Sequence, residues 1–514
     1  MTPDHTAALL PDKPAAVLGQ EVLSFAALSD RSLRLAAAMA SAGLRSRHHV
    51  ALLLENRLDY FVVAWAAHRL GLYYTPVNWH LQADEVAHIL ADSGARWVFV
   101  SQALAPLVKA TRSDALERVV IVDEPSPSAL SRLIDQADPH QLLDQREGQA
   151  MFYSSGTTGQ PKGIKRSLAM TTYGTSPAWE SLITDAYDVD AETVYLCPAP
   201  LYHAAPLGWT MAVQRRGGTV ILMERFDPLE ALRLIEQHRV THVQMVPTHF
   251  VQLLKLPASQ RSRFDLSSLR VAVHAAAPCP VDVKEQMMAW WGPIIHEYYA
   301  YSEGSGFARI GPQEWLTHKG SVGRAALGTF RILDEHGVEQ PPGVTGQVWI
   351  EGGQDFAYHN DPDKTAAAHD ATGRSSVGDV GHLDAEGYLY LTDRISHMII
   401  SGGVNIYPQE VENLLVMHPA VADVAVIGVP DAHYGERVLA VVVPAADVQP
   451  DVALAQALID YSRARIAHFK CPKTVEFVER LPRLPSGKLI KRQLRDQYRN
   501  THATTGPAEP KEAP

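Results

Sequence analysis

The chain has 514 residues, about three domains' worth at the usual 100 to 200 residues each, which excludes a single small binding module. Hydrophobic residues at 46 %, charged residues at 20 %, 34 glycines and 34 prolines describe a folded globular protein and exclude a collagenous or disordered one. Lys plus Arg number 46 against 57 Asp plus Glu, and the net charge of −11 excludes a globally basic surface for nucleic acid or an anionic membrane.

The N-terminal nineteen residues lack the basic and apolar regions of a signal peptide. No apolar run approaches the ~20 residues that span a bilayer, so the cytoplasm is the expected compartment. From there, periodicity predicts a helix near Leu33–Ala42, a strand near Val50–Leu54, a helix near Tyr60–Leu70 stopped by Gly71, and a strand near Tyr73–Val77. A helix near Glu85–Leu90 and strands at Trp97–Val100, Val119–Val122, Val220–Leu222, Val243–Val246 and Leu269–Val273 continue the alternation. Such βαβ grammar predicts parallel sheets covered on both faces. From about Thr329, short strands with Gly-rich turns, such as Phe330–Leu333 and Gln347–Ile350, predict an antiparallel or barrel-like subdomain. After Arg394 an α+β pattern begins, with helices near Pro408–Met417 and Ala453–Ala467 and strands near Val424–Ile427, Leu439–Val443 and Thr474–Val478. The expected fold is therefore α/β: a large N-terminal domain of residues 1–394 and a small C-terminal α+β domain of 395–500. Residues 501–514 have almost nothing to bury and read as a disordered tail.

Cys197, Cys279 and Cys471 are far apart, with no CxxC pair, and the 23 histidines show no HExxH spacing, so no disulfide framework or zinc site is expected. Five segments carry chemistry instead. YSSGTTGQPKG, Tyr153–Gly163, joins flexible Gly156 and Gly159 to the hydroxyls of Ser154, Ser155, Thr157 and Thr158 and to mobile Lys162, a set able to cradle phosphate. Gln160 and Pro161 separate its second glycine from the lysine, so it is not a Walker A loop, and a polar hairpin tip is the bland alternative. EYYAYSEG, Glu297–Gly304, offers a tyrosine face for a purine and, in Ser302 and Glu303, a carboxylate that needs Mg²⁺ beside phosphate. VGDVGHLDAEGYLYLTDR holds Asp379, an acceptor for ribose hydroxyls, and Arg394, a partner for ribose or phosphate oxygens; a Gly-turned hairpin with an ion pair explains the same residues without function. SGGVNIYPQEVE joins a Gly-Gly turn to a helix start, and LPRLPSGKLIKRQLR sets Lys488 after a Ser-Gly turn, otherwise an exposed basic loop.

In this order the five segments resemble the adenylate-forming superfamily of acyl-CoA synthetases, nonribosomal adenylation domains and luciferases, from about Leu23 to Arg495. SSGTTGQPKG is similar to the family's phosphate loop, and EYYAYSEG to its adenine and magnesium motif. That likeness puts Tyr299 at the stacking position, Ser302 at the usual threonine and Glu303 at the metal-linked carboxylate. Asp379 in GDVG resembles the ribose ligand, Arg394 the arginine before the interdomain hinge, and Lys488 the catalytic lysine of the small domain. Ala276 and Glu297 join the nucleotide-binding set, and Gly402 and Gly403 the turn used in the thioester step. PLYHAAP, Pro200–Pro206, resembles the motif whose histidine, here His203, lines the acyl and pantetheine channel. Several positions depart from the family: Ala300 and Pro206 replace glycines, and Ser396 and His397 stand where Asp or Lys is common at the hinge.

The resemblance is closest to stand-alone bacterial acyl-CoA synthetases. It implies a mobile small domain and a two-step reaction in which a carboxylate attacks the α-phosphorus of MgATP and the thiol of CoA then displaces AMP. The implied cofactors are ATP, Mg²⁺ and CoA, and the partners are small molecules, with neither nucleic acid nor an integral membrane segment; self-association stays open. The alternatives are an acyl-AMP ligase loading a carrier protein, a light-emitting oxidoreductase and a non-catalytic nucleotide-binding protein. The segments Tyr202–Trp209, His274–Pro278 and Gly304–Phe307 contain no acid and no cation for a second substrate carboxylate. They lead us to expect an apolar monocarboxylic substrate, with Gly304 and Gly306 leaving space for it.

Overall fold

A computed structural model describes residues 2–503, apart from 110, 112, 125–126, 143, 155–160, 432 and 484–488. The α/β alternation builds two parallel sheets. One has five strands in the order Arg118–Ile121, Ala95–Val100, His49–Leu53, Tyr73–Pro76, Gln149–Ala150, every pair parallel. The other has nine, with a parallel centre (Ile295–Ala300, Val271–His274, His242–Met245, Val194–Cys197, Thr219–Leu222, Pro14–Leu18) and antiparallel edges. Period-2 alternation sends Val220 and Leu222 into one hydrophobic core and Ile221 into another on the opposite face, so both faces of this sheet are covered.

Local sequence explains the helices. Ser24 caps Phe25–Ser41, its Oγ accepting from the Ala27 amide at 3.1 Å. The helix Asp59–Arg69 is buried from Tyr60 to Arg69, with Asp59 in its first turn and His68 and Arg69 in its last, as the helix dipole favours. It ends before Gly71, at φ +63°, where a Cβ would stand 2.6 Å from Ser46 Oγ. No helix among the described residues is long and apolar enough to cross a membrane.

The Gly-turned segments form a four-stranded antiparallel sheet, Thr329–Leu333, Gly346–Glu351, Asp379–Leu383 and Leu389–Arg394. A three-stranded sheet, Ala357–Tyr358, Lys162–Lys165 and Phe152–Ser154, lies beside the phosphate-loop sequence. Beyond Arg394, a five-stranded sheet gathers Val404–Ile406, Ile399–Ser401, Gly435–Pro444, Val421–Asp431 and Thr474–Phe477 over its own core, including Val424, Val426 and Val438. The basic stretch after Leu489 is a helix, Lys491–Ala503, rather than a loop, and it runs three residues into the expected tail. Its cause is an apolar pair at helical spacing: Leu494 and Tyr498 are both buried against Ile427, Val429 and Leu439. Residues 504–514 lie outside the described ones.

Candidate active site

The strands Phe152–Ser154 and Lys162–Lys165 pair antiparallel, so Ser154 and Lys162 are cross-strand partners at the base of the Gly/Ser/Thr loop. Ser155, Gly156, Thr157, Thr158 and Gly159 lie outside the described residues. The neighbouring short strand brings Tyr358 against Lys162, whose Nζ stands 5.3 Å from the ring centroid. Tyr358 donates to Glu303 Oε1 at 3.0 Å. Burial holds this phenol above its ordinary pKa, so it stays protonated and able to donate. Burial, helped by Lys364, lowers the Lys162 ammonium, while Asp361 and Glu303 pull it back up. A cation, a phenol and a carboxylate thus meet at the mouth of the phosphate-loop sequence.

The second cluster lies where Ile295–Ala300 faces the hairpin Asp379–Arg394. Asp379 and Arg394 are cross-strand partners, and Arg394 Nε donates to Asp379 Oδ1 at 2.7 Å. The other carboxylate oxygen accepts from the Tyr299 hydroxyl at 2.5 Å, and the Tyr299 and Tyr301 hydroxyls bond each other. Burial, with Asp379, raises both tyrosines well above their usual value; Tyr301 adds to the rise at Tyr299, whereas the bond with Tyr299 works against it at Tyr301. Burial alone would lower Arg394; the Asp379 carboxylate overrides it and keeps the guanidinium raised. Ser302 is exposed and Glu303 buried, in the turn that follows this strand. A carboxylate has room for about four hydrogen bonds, so Asp379 retains acceptor capacity for a ligand.

The remaining predicted residues are more scattered. His203 begins the helix Ala204–Arg215, its ring 4.3 Å from that of Tyr202. Ala276 is exposed with φ +73°, a strained backbone for any residue with a Cβ and one often found at functional sites. Glu297 faces inward: its carboxylate takes Lys284 Nζ at 2.7 Å and stands 3.2 Å from His274 Nε2, all three buried. It belongs to the same strand as Tyr299, two residues before it. Gly402 and Gly403, both at positive φ, turn the hairpin between Ile399–Ser401 and Val404–Ile406. Lys488 lies outside the described residues; on either side of its loop, Arg483 and Leu489 form an antiparallel bridge. In the 3-10 turn Ile395–His397, where the resemblance implies a hinge, Ile395 N donates to Gly378 O at 2.9 Å, and Arg495 donates to the carbonyls of Ser396 and His397 at 2.6 and 2.7 Å.

Two expectations about space are corrected. The position a Cβ would take at Gly304 lies 2.9 Å from Arg166 Nη1, and at Gly306 it lies 2.6 Å from Ile350 Cδ1, so protein side chains already use the room at both glycines. Sequence reasoning missed Tyr358, which reaches Glu303 through a two-residue strand with no periodic signal, and Arg166, which looks like one more residue of a basic strand end.

Residues 3–356 match the family model described as AMP-binding enzyme, and residues 410–488 that of the AMP-binding enzyme C-terminal domain. A feruloyl-CoA synthase from Amycolatopsis is 34% identical over 507 residues, covering 96% of this chain and 98% of that one. A fatty acid–[acyl-carrier-protein] ligase from Streptomyces coeruleorubidus is 32% identical over 495 residues, 95% of this chain and 94% of the other. The o-succinylbenzoate CoA synthetase of Bacillus subtilis, solved with its acyl-adenylate intermediate, superposes with a TM-score of 0.82 at 27% identity, over 96% of this chain and 97% of that one.

Proposed function

Because the chain belongs to the AMP-binding enzyme family and is an AMP-forming acid–thiol ligase that makes acyl-CoA, we propose that its substrate is a monocarboxylic acid with a sizeable apolar body. The observation that carries the site assignment is the pairing of two clusters around Ser302: Lys162, Tyr358 and Glu303 on one side, Tyr299, Asp379 and Arg394 on the other. In this reading Asp379 accepts from the ribose hydroxyls, Tyr299 lies along the adenine, and Ser154, Lys162 and the loop between them hold the phosphates.

Mg²⁺ is usually held by one or two carboxylates together with phosphate oxygens. Glu303 fits that role: Tyr358 occupies its Oε1, and among the described residues no group of three or more His, Cys, Asp or Glu could form a complete protein cage. When bound, Mg²⁺ offsets phosphate charge. The first step forms a bond from a substrate carboxylate oxygen to the α-phosphorus and breaks the bond to pyrophosphate. Lys162 and, from the small domain, Lys488 act where negative charge grows. In the second, the CoA sulfur bonds to the acyl carbon, AMP departs with the C–O electron pair, and the thiol proton is released. We assign Gly402 and Gly403 to the path of the thiol, His203 to its gate, and residues 395–500 to a domain that turns between the two steps.

The apolar body is supported by the wall after His203. Gly208 lacks a side chain where the Trp179 indole packs, a Cβ there falling 1.8 Å from the ring, and Leu207, Trp209 and Tyr202 are buried beside it. The ferulate and fatty acids in the relatives' names have such a body. The test is a panel of aliphatic, aryl, sterol-type and short dicarboxylic acids with ATP and CoA, reading pyrophosphate release and thioester mass. Apolar monocarboxylates should turn over fastest; a short dicarboxylate as the best substrate would overturn the reading.

A further inference from the structure

We propose that Arg166 is a substrate-binding residue of this site, its guanidinium receiving the carboxylate of the acid to be activated. The inference rests on the function proposed above. Arg166 follows the strand Lys162–Lys165, which also carries Lys162 toward Tyr358 and Lys165 over the Tyr73 ring. Its backbone is fixed, its carbonyl accepting the Tyr73 hydroxyl at 2.9 Å. Its side chain lies across Gly304: the place of a Cβ on that glycine is 2.9 Å from Nη1, 3.6 Å from Cδ, and 3.5 Å from Gln354 Oε1. The guanidinium therefore sits one residue from Glu303, on the turn that also holds Ser302.

Arg166 has no counter-ion among the described residues. Arg69 and Arg215, the deeply buried arginines, are each paired with a carboxylate at hydrogen-bond distance, and so is Arg394 in the site itself; partly buried Arg261 lies over the Trp290 ring instead. Among the described residues no carboxylate forms an ion pair with Arg166, and no acceptor bonds its guanidinium; Glu303 and Tyr74 are the titratable groups that act on it, at longer range. The residues 155–160 and 484–488 contain no Asp or Glu that could serve. A partly buried cation without a partner is costly, and the cost is recovered when an anion arrives. Burial lowers its pKa, but an arginine stays charged throughout the working range.

Two oxyanions come to this site, the phosphates and the acid. Ser154 and Lys162 stand at the base of the phosphate loop, whereas Arg166 lies four residues past Lys162, on the side of the buried Tyr74. A carboxylate entering a site that already holds a triphosphate and Glu303 meets like charge, and Arg166 offsets it with a planar, two-pronged donor. Once the acyl–phosphate bond forms, the acyl group no longer carries its negative charge. Arg166 therefore matters for capturing the acid and not for consuming the adenylate.

Arg166→Met and Arg166→Lys test this, with three readings on each: the KM for acid in pyrophosphate exchange, the Kd for a non-hydrolysable ATP analogue without acid, and thioester formation from supplied acyl-AMP and CoA. The expected result for Met is an acid KM raised at least about tenfold, with the other two within about twofold of the parent, and partial recovery in Lys. A raised nucleotide Kd with unchanged acid KM would make Arg166 a phosphate ligand; unchanged values throughout, or equal loss in all three, would also overturn the proposal. If the Met variant does not fold, the parent enzyme decides: the acid's neutral primary amide should compete at least about tenfold more weakly than the acid itself, and equal competition refutes a charged contact. Failure of the proposed function is separate, because it shows as absence of acid-dependent exchange in the parent.

Discussion

Replacing Asp379 by Asn removes one charge and changes little volume, at a side chain 8 % exposed that accepts from Arg394 at 2.7 Å and from Tyr299 at 2.5 Å. The amide keeps one acceptor oxygen and turns the other into a donor, so one of these two neighbours loses its bond. Arg394 has about a third of its side chain in solvent, and the loss of folding stability is correspondingly modest, about 1–3 kcal/mol. The effect on nucleotide is larger in proportion. A hydrogen bond to a charged acceptor contributes about 1.5–3 kcal/mol, so losing it to a ribose hydroxyl should raise the KM for ATP roughly 10- to 150-fold. The KM for the acid should stay within about twofold, since its carboxylate is assigned to Arg166. Steady-state kinetics with each substrate varied in turn, beside urea unfolding of both proteins, separates the two effects. An unchanged KM for ATP in a folded Asp379→Asn enzyme would refute the ribose assignment. Tyr299→Phe, which removes one donor and keeps the charge, should fall between the two.

For Glu303→Gln we expect the Mg²⁺ concentration for half-maximal rate to rise about tenfold, equivalent to ~1.4 kcal/mol, with acid binding unaffected; titration of the rate with Mg²⁺ checks it. Lys488→Ala should slow acyl-AMP formation by about 10²- to 10³-fold and leave CoA transfer from supplied acyl-AMP nearly intact. Gly403→Leu should do the reverse, and equal losses in both half-reactions for both variants would count against two working orientations. Stability should fall as pH drops from 7 to 4. Burial depresses His49 and His249 to about 3 and His296 to about 4, so below pH 6.5 the unfolded chain takes up protons that the folded one refuses. Burial would raise Glu297 and Glu147, but His274 with Lys284 and His68 with Arg215 hold them at about 2, and their contribution is lost between about pH 4.5 and 2. A urea midpoint that stays flat between pH 7 and 5 would contradict the histidine part.

The two halves of the fold differ in how far local sequence discloses them. The helix Asp59–Arg69 and the hairpin Asp379–Arg394 are legible because punctuation and period lie within twenty residues. The helix Lys491–Ala503 is hidden because, among its described side chains, the buried apolar residues Leu494 and Tyr498 stand among charged neighbours. In the site, Tyr299, Glu303, Asp379 and Arg394 are legible as residue types, yet the bond from Tyr299 to Asp379 joins positions 80 residues apart and exists only in the folded chain. Glu297 enters the expected set only through the resemblance, and its ties to buried Lys284 and His274 exist only in the folded chain. Gly304 and Gly306 misled for a related reason, since a missing side chain says that something approaches but not what.

The crossing from the four-stranded sheet into the C-terminal region is short, and the domain turn proposed above would act on it as a mechanical joint. Its last anchor on one side is Ile395 N, held by Gly378, and its first on the other is Ser396 O, held by Arg495. Between those anchors lie Ile395 and Ser396, which open the 3-10 turn Ile395–His397, closed by Met398 N on Ile395 O at 3.3 Å, so a swivel of the kind proposed above would have to re-aim that turn. The contact from His397 Nδ1 to Asp393 Oδ1, at 3.2 Å, spans this joint as a latch. Because Arg495 grips the far side, the helix Lys491–Ala503 would travel with a turning C-terminal region, and shortening it would slacken the joint without touching a single ligand.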